Sequence, residues 1–210
     1  YLFDSYCKNY DISILTFCAP QGPQKAPEVA EKMLELWRSR SSQKESSSSN
    51  TDLFVALTKS DKLLSCNFNN PDPKNNESPE KAKIRIETRF NNNFIDEYGN
   101  WFNDWSEDGS GDVFQNFYFI RNKQALAKQD AYRELENEPG VEAFSLEKNG
   151  EKAKDIFKEA FNSSKIIKKY ISESRRDDIF NQCFELDNDG GVRYLIDNIS
   201  RKFEEAFNKK

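Results

Sequence analysis

The run Leu53-Phe54-Val55-Ala56-Leu57 constrains this chain more than any other stretch. A strand with one wet face alternates apolar and polar residues, and this run does not alternate. It is too short for a buried helix, and polar residues bound it: Asp52 before it, Thr58-Lys59-Ser60-Asp61 after it. It reads as a strand buried on both faces, the habit of parallel sheets covered by helices. Asp11–Pro20, "DISILTFCAP", holds a similar run. Val113–Asn122, "VFQNFYFIRN", supplies a third, with its core at Phe117–Ile120.

Helical patterns separate these strands. Pro27 suits a first helical turn, and Val29, Met33, Leu36 and Trp37 follow at helical spacing. Ser41–Asn50 is a Ser-rich polar loop. Ser78 and Pro79 form a cap and first turn for a helix carrying Ala82, Ile86, Phe90 and Phe94, ending near Gly99. After Asn122 the chain reads as helical. One helix over about Glu151–Ile171 has Ala153, Ile156, Phe157, Ala160, Phe161, Ser164 and Ile167 on one face. Another follows "DNDGG" with Val192, Leu195, Ile196, Ile199 and Phe203, and Arg175–Phe184 is a short helix or an irregular arm. Strands alternating with helices predict an α/β fold: a parallel sheet of at least three strands with crossover helices, followed by a helical C-terminal part.

Composition removes several function classes. The 210 residues contain no histidine, which excludes His-based triads and His-containing zinc sites. Net charge is −5, so no basic surplus calls for nucleic acid or an anionic membrane. No apolar run approaches the ~20 residues of a membrane span, and no signal peptide is visible. Cys7, Cys18, Cys66 and Cys183 are widely spaced without a CxxC, which fits reduced thiols in the cytoplasm. Tyr1 stands where a Met would begin a chain, which suggests an excised or processed segment.

The most informative polar motif is Thr58-Lys59-Ser60-Asp61. In an open α/β sheet, ligands bind beyond the carboxyl ends of the strands, where this tetrapeptide falls. Asp61 can accept hydrogen bonds from guanine N1–H and the N2 amine, which adenine cannot supply. The aliphatic stem of Lys59 can cover the base. Arg121 and Asn122 end the next strand, where a second loop would touch the base. The plain alternative is a polar strand end with solvated charges. No "GK" occurs in the chain, so it holds no phosphate-binding loop. Asp96–Gly99, Asp108–Gly111 and Asp187–Gly190 spell DxxG but follow Thr58, and read as turns or helix ends.

Two other acidic stretches invite chemistry. Glu185, Asp187, Asp189 and Gly190 match the first positions of a calcium loop, but Ile196 stands where a bidentate Glu is needed. The better reading is a helix start capped by Asp189, with two glycines that let the turn approach something closely. Asp104, Glu107, Asp108 and Asp112 lie on a loop with Trp101, Phe102 and Trp105. A carboxylate-pair hydrolase is one reading of them. A solvated loop pinned by its aromatics is the plainer one, and a contiguous exposed aromatic patch would argue for a partner site.

Taken in order, "YLFDSYCKNYDISILTFCAPQGPQ", "LFVALTKSDKL", "ESPEKAKIRIETRF", "FQNFYFIRN" and "ELDNDGGVRYLID" resemble the C-terminal half of the GTPase-like domain of SrfC-like bacterial virulence factors, relatives of dynamin-like P-loop GTPases. The resemblance implies that residues 1–125 are a partial GTPase-like domain and 126–210 a helical extension packed on it. It implies that Thr58, Lys59 and Asp61 carry guanine specificity and that Arg121 and Asn122 lie at the second base loop. The usual Ser-Ala-Lys pattern is missing there. It implies GTP or GDP with Mg²⁺ as ligands of an intact parent, with weak or undetectable binding by this segment alone, and no catalytic residue within it. It also implies a bacterial cytoplasmic protein, with export as an effector as the alternative. The remainder of a parent chain, or a protein partner, would complete the sheet beside the Asp11–Pro20 strand. The rival expectation is a scaffold of GTPase descent that binds a protein and no nucleotide.

Overall fold

A computed structural model describes residues 5, 14–20, 27–40, 53–69, 71, 72, 74, 76–91, 116–122, 132–135, 138–144, 148–184 and 189–208. The Trp101–Asp112 loop, Cys7, Phe94 and the Ser41–Asn50 stretch lie outside them, as do Glu185 and Asp187.

The three apolar runs form one parallel sheet. Strand β1 (Leu15–Pro20) pairs with β2 (Leu53–Thr58), and β2 pairs with β3 (Phe117–Phe119). The order is β1-β2-β3, so the run without alternation is central. Leu53, Val55 and Leu57 point to one face and Phe54 and Ala56 to the other, and all five are buried. The unbroken apolar pattern therefore has its predicted cause. β1 is an edge strand among the described residues, with Thr16 and Cys18 exposed.

Helix α1 (Pro27–Arg40) connects β1 to β2, and α2 (Pro79–Phe90) lies between β2 and β3. Parallel neighbours require such crossovers. Ser78 Oγ accepts the Lys81 N–H at 3.3 Å, and Pro79 occupies the first turn, as the sequence predicts. α1 buries Trp37, as predicted, and Leu34 in place of Met33, which is exposed.

The chain after β3 is mostly helical, as the sequence predicts, and adds one hairpin that the sequence does not predict. Strands β4 (Tyr132–Leu135) and β5 (Glu138–Phe144) form an antiparallel hairpin with a register shift at Glu134/Leu135. Pro139 and Gly140 are strand breakers, and several Glu residues dilute the alternation, so the sequence signal is weak there. The expected helix over Glu151–Ile171 is two helices, α3 (Lys148–Ser163) and α4 (Lys165–Tyr170). Ser164 divides them. Its ψ of 127° is extended, and its Oγ accepts from Ile167 N–H as the cap of α4. Glu87 of α2 accepts both the Ser164 hydroxyl at 3.1 Å and the Lys165 N–H at 2.9 Å. Arg175–Phe184 falls within a regular helix, α5 (Glu173–Phe184), and α6 (Val192–Asn208) follows.

The core lies on the sheet face bearing Leu53, Val55, Leu57, Phe117 and Phe119. α1, α2 and α3 cover it through Trp37, Ala82, Ile86, Phe90, Phe157 and Phe161. Phe90 is its hub, with ring centroids 5.7 Å from both Phe117 and Tyr170 and 6.5 Å from Phe119. The predicted stripe from Ala153 to Ile167 is buried throughout. On the opposite face, Tyr118 stacks against Phe54 at 5.8 Å and Tyr194 of α6 at 5.6 Å.

Candidate functional site

The sheet places Thr58-Lys59-Ser60-Asp61 beyond the carboxyl end of its central strand, next to Arg121 and Asn122 beyond β3. Sequence residues 60 positions apart meet there. Hydrogen bonds between and within the strand ends build the arrangement.

Thr58 ends β2 opposite Pro20, its Oγ1 donating to the Ala19 carbonyl at 3.5 Å. Lys59 then adopts φ 59°, ψ 31°, the left-handed region that bulky residues rarely enter. It is the non-glycine residue with positive φ among those described, and its side chain is exposed. That turn starts a single 3-10 turn, Ser60–Leu63. Ser60 is 0% exposed. Its N–H donates to Ile120 O at 3.1 Å and its hydroxyl to Leu57 O at 2.6 Å. The buried serine thus has both its backbone and side-chain donors satisfied within the sheet end.

Asp61 is 9% exposed, and its Oδ1 accepts the Asn122 N–H at 3.2 Å. One carboxylate oxygen thus ties the two strand ends together. A carboxylate offers about four acceptor directions, and this bond uses one of them. Arg85 of α2 fixes the far end of the turn. Its Nε donates to Leu63 O at 3.1 Å, and its two terminal nitrogens each reach Glu77 at 3.2 Å.

Arg121 and Asn122 divide in role. Asn122 is exposed beside Asp61. Arg121 is 6% exposed, and its Nε donates to the Cys183 carbonyl near the end of α5 at 2.6 Å. Its N–H donates to Gly190 O at 3.0 Å. The Arg121 side chain therefore anchors α5, and only its backbone belongs to the loop.

The two glycines before α6 close this end of the sheet. Gly190 has φ 77°, and a Cβ there would lie 2.6 Å from Arg121 O. Gly191 has φ 93°, and a Cβ there would overlap the Phe119 carbonyl. The close approach predicted for "DGG" is onto the sheet. Asp189 Oδ2 accepts the Arg193 N–H at 2.8 Å, which makes it a helix-start residue, as read from the sequence. Neither Ser60 nor the glycine contacts could be assigned from spacing alone, although the paired glycines were the available signal.

Burial pushes the Cys183 thiol upward, with Arg121 opposing. The thiol stays protonated and inert. Cys18 is exposed and Cys66 half-buried, and all three are free thiols. Among the described residues no group of three His, Cys, Asp or Glu side chains could hold a metal ion. No helix among them is long and apolar enough to cross a membrane.

These features define an α/β protein with a polar, rigidly tied loop pair at the carboxyl end of a parallel sheet. A family model described as "Putative bacterial virulence factor" matches residues 1–208, and the chain belongs to that family. No curated protein and no solved structure matches it.

Proposed function

We propose that Thr58, Lys59, Asp61, Arg121 and Asn122 form the base-reading half of a guanine-nucleotide site in a GTPase-like member of this virulence-factor family, akin to SrfC-like proteins. The supporting observation is the Asp61–Asn122 tie, which holds an acidic side chain at the carboxyl end of the sheet between two strand-end loops. Asp61 would accept from guanine N1–H and the N2 amine, with the Lys59 stem against the base face. Asn122 and the backbone of Arg121 would border the base from the second loop. GTP or GDP with Mg²⁺ is the ligand of the complete site. Residues 1–210 contain no "GK" and hence no phosphate loop of the usual pattern, so this reading covers base recognition and assigns no hydrolysis to the chain.

Titration calorimetry of the intact parent protein with GDP, ADP and XDP tests it. Guanine should be preferred over adenine by about tenfold or more, equivalent to ~1.4 kcal/mol. Asp61→Asn replaces an acceptor with an amide donor, so preference should move to xanthine, whose position 2 carries a carbonyl. Equal affinity for GDP and ADP would sink the proposal.

A second reading is a nucleotide-independent interaction scaffold of the same descent. It is favoured by α6, where Val192, Ile196 and Phe203 are 38%, 53% and 49% exposed and fall along one helical stripe. Such a row fits a protein partner, or the remainder of a parent chain, better than it fits water. Absence of any nucleotide binding, with a partner that protects α6 from hydrogen exchange, would select this reading.

A further inference from the structure

The strand end that meets Asp61 is held in place by α6. Ile120 is bonded within the sheet: its N–H donates to Leu57 O at 2.9 Å, and its carbonyl accepts the Ser60 N–H at 3.1 Å. The two residues beyond it are held differently. The Arg121 N–H donates to Gly190 O at 3.0 Å, and the Asn122 N–H to Asp61 Oδ1 at 3.2 Å. Gly190 and Gly191 lie so close to this segment that a Cβ on either would strike a carbonyl, that of Arg121 or of Phe119. Gly191 O in turn accepts the Leu195 N–H at 3.2 Å. The glycines are therefore continuous with the first turn of α6, and no slack separates the helix from the contact.

α6 is lightly seated. None of its described side chains is buried. Tyr194, Leu195 and Ile199 are half-buried, and the Tyr194 ring meets Tyr118 at 5.6 Å. Val192, Ile196 and Phe203 stay exposed, so much of the apolar stripe adds little to docking on the body. α5 differs. It buries Ile179, Phe180 and Cys183, and the Cys183 carbonyl holds the Arg121 side chain at 2.6 Å. An element with little buried apolar area opens at low free-energy cost, ahead of the core it rests on. A firmly packed helix thus holds the Arg121 side chain, and a loosely packed one meets the Arg121 N–H.

We propose that α6 is a detachable strap whose seating sets the Asp61–Asn122 pair. Seated, it holds Arg121 through Gly190 and presents the Asn122 N–H to the carboxylate. Lifted, it withdraws Gly190 from Arg121, while the Arg121 side chain stays on Cys183. Asn122 then loses its fixed neighbour, and Asp61 loses the bond that orients it. For a carboxylate that reads a base this lowers affinity, because its orientation must be restored on binding. That consequence rests on the guanine reading given above. The strap itself rests on the contacts.

Hydrogen exchange on the full chain under native conditions tests the strap without a nucleotide. The amides of α6, Arg121 and Asn122 should exchange as one group, faster than those of Val55, Ala56 and Leu57 in the central strand. Tyr194→Ala removes the ring that seats α6 on Tyr118. It should speed exchange at Arg121 and Asn122 by the same factor as in α6, about fivefold, and leave β2 unchanged. Tyr194→Phe keeps the ring and should leave all rates in place. If Arg121 and Asn122 keep the β2 rate in Tyr194→Ala, the proposal is overturned. Acceleration of β2 together with them would overturn it too, by making α6 part of the core. In the intact parent protein, Tyr194→Ala should also reduce the preference for GDP over ADP by a similar factor. An unchanged preference in that variant would break the link from the strap to Asp61. A parent that binds GDP and ADP equally defeats the guanine reading alone, and the exchange rates then decide the strap.

Discussion

Gly191→Ala tests the contact that joins the helical half of the chain to the sheet. Two costs add at this position. The backbone has φ 93°, where an L side chain is strained, an effect of about 1–2 kcal/mol. The new Cβ would also overlap the carbonyl of Phe119, a backbone atom of a buried strand. That oxygen cannot swing aside as a side-chain tip could. Moving the glycine turn instead would pull Gly190 from the Arg121 N–H, a bond of 3.0 Å. Its loss would leave a donor unpaired at a cost of about 1–3 kcal/mol. The combined expectation is a destabilisation of about 3 kcal/mol. For a chain of this size that is a fall in melting temperature of roughly 6–12 °C. Urea unfolding followed by far-UV circular dichroism measures the free energy. Tryptophan fluorescence, to which the buried Trp37 contributes beside Trp101 and Trp105, gives a second probe of the same transition. Asp189→Ala is the control. It removes only the 2.8 Å cap at the start of the same helix, and should cost about 1 kcal/mol. If Gly191→Ala lies within about 0.5 kcal/mol of the parent, the reasoning about the Phe119 contact is wrong.

Phe90→Ala empties the aromatic hub of the core and should cost about 3–5 kcal/mol, read from urea midpoints. Arg85→Met leaves Glu77, 6% exposed at its side chain, without its bidentate partner. A loss of about 3 kcal/mol is expected, read from urea midpoints. Burial, against the pull of Arg175, raises the Tyr118 pKa from 10.0 to about 12. The folded state holds this proton more tightly than the unfolded one, so stability should fall as pH climbs from about 10 to about 12. Tyr118→Phe should flatten that part of a stability–pH curve. Under native conditions a thiol reagent should modify Cys18 readily and reach Cys183 only after denaturant is added.

Much of the sheet could be read from local pattern. The unbroken run at Leu53–Leu57 foretold a central strand because two-sided burial leaves no polar positions, and Ser78-Pro79 foretold the α2 start because capping is local. The β4–β5 hairpin escaped because its short strands contain Pro139, Gly140 and several glutamates, and its evidence is a pairing between strands. The break at Ser164 escaped because an apolar stripe runs through it unchanged. What ends α3 there is a serine cap answered by Glu87, 77 residues earlier. At the candidate site, the position of Asp61 was legible from strand-end logic. The direction of Arg121 was not, because its partner Cys183 is 62 residues away. The α6 stripe was legible as a pattern. Its outward turn follows from Tyr194 docking on Tyr118, a tertiary contact.

The Arg121–Cys183 bond also sets a clock for synthesis. Arg121 leaves the ribosome 62 residues before the carbonyl that will hold it. At translation rates of ~5–20 residues per second, that interval is roughly 3–12 s. Throughout it, the nascent sheet ends in an unanchored guanidinium and a strand terminus still awaiting its glycine turn. The segment is thus open to chaperones and proteases at the carboxyl end of the sheet, which the last-made helices later cover.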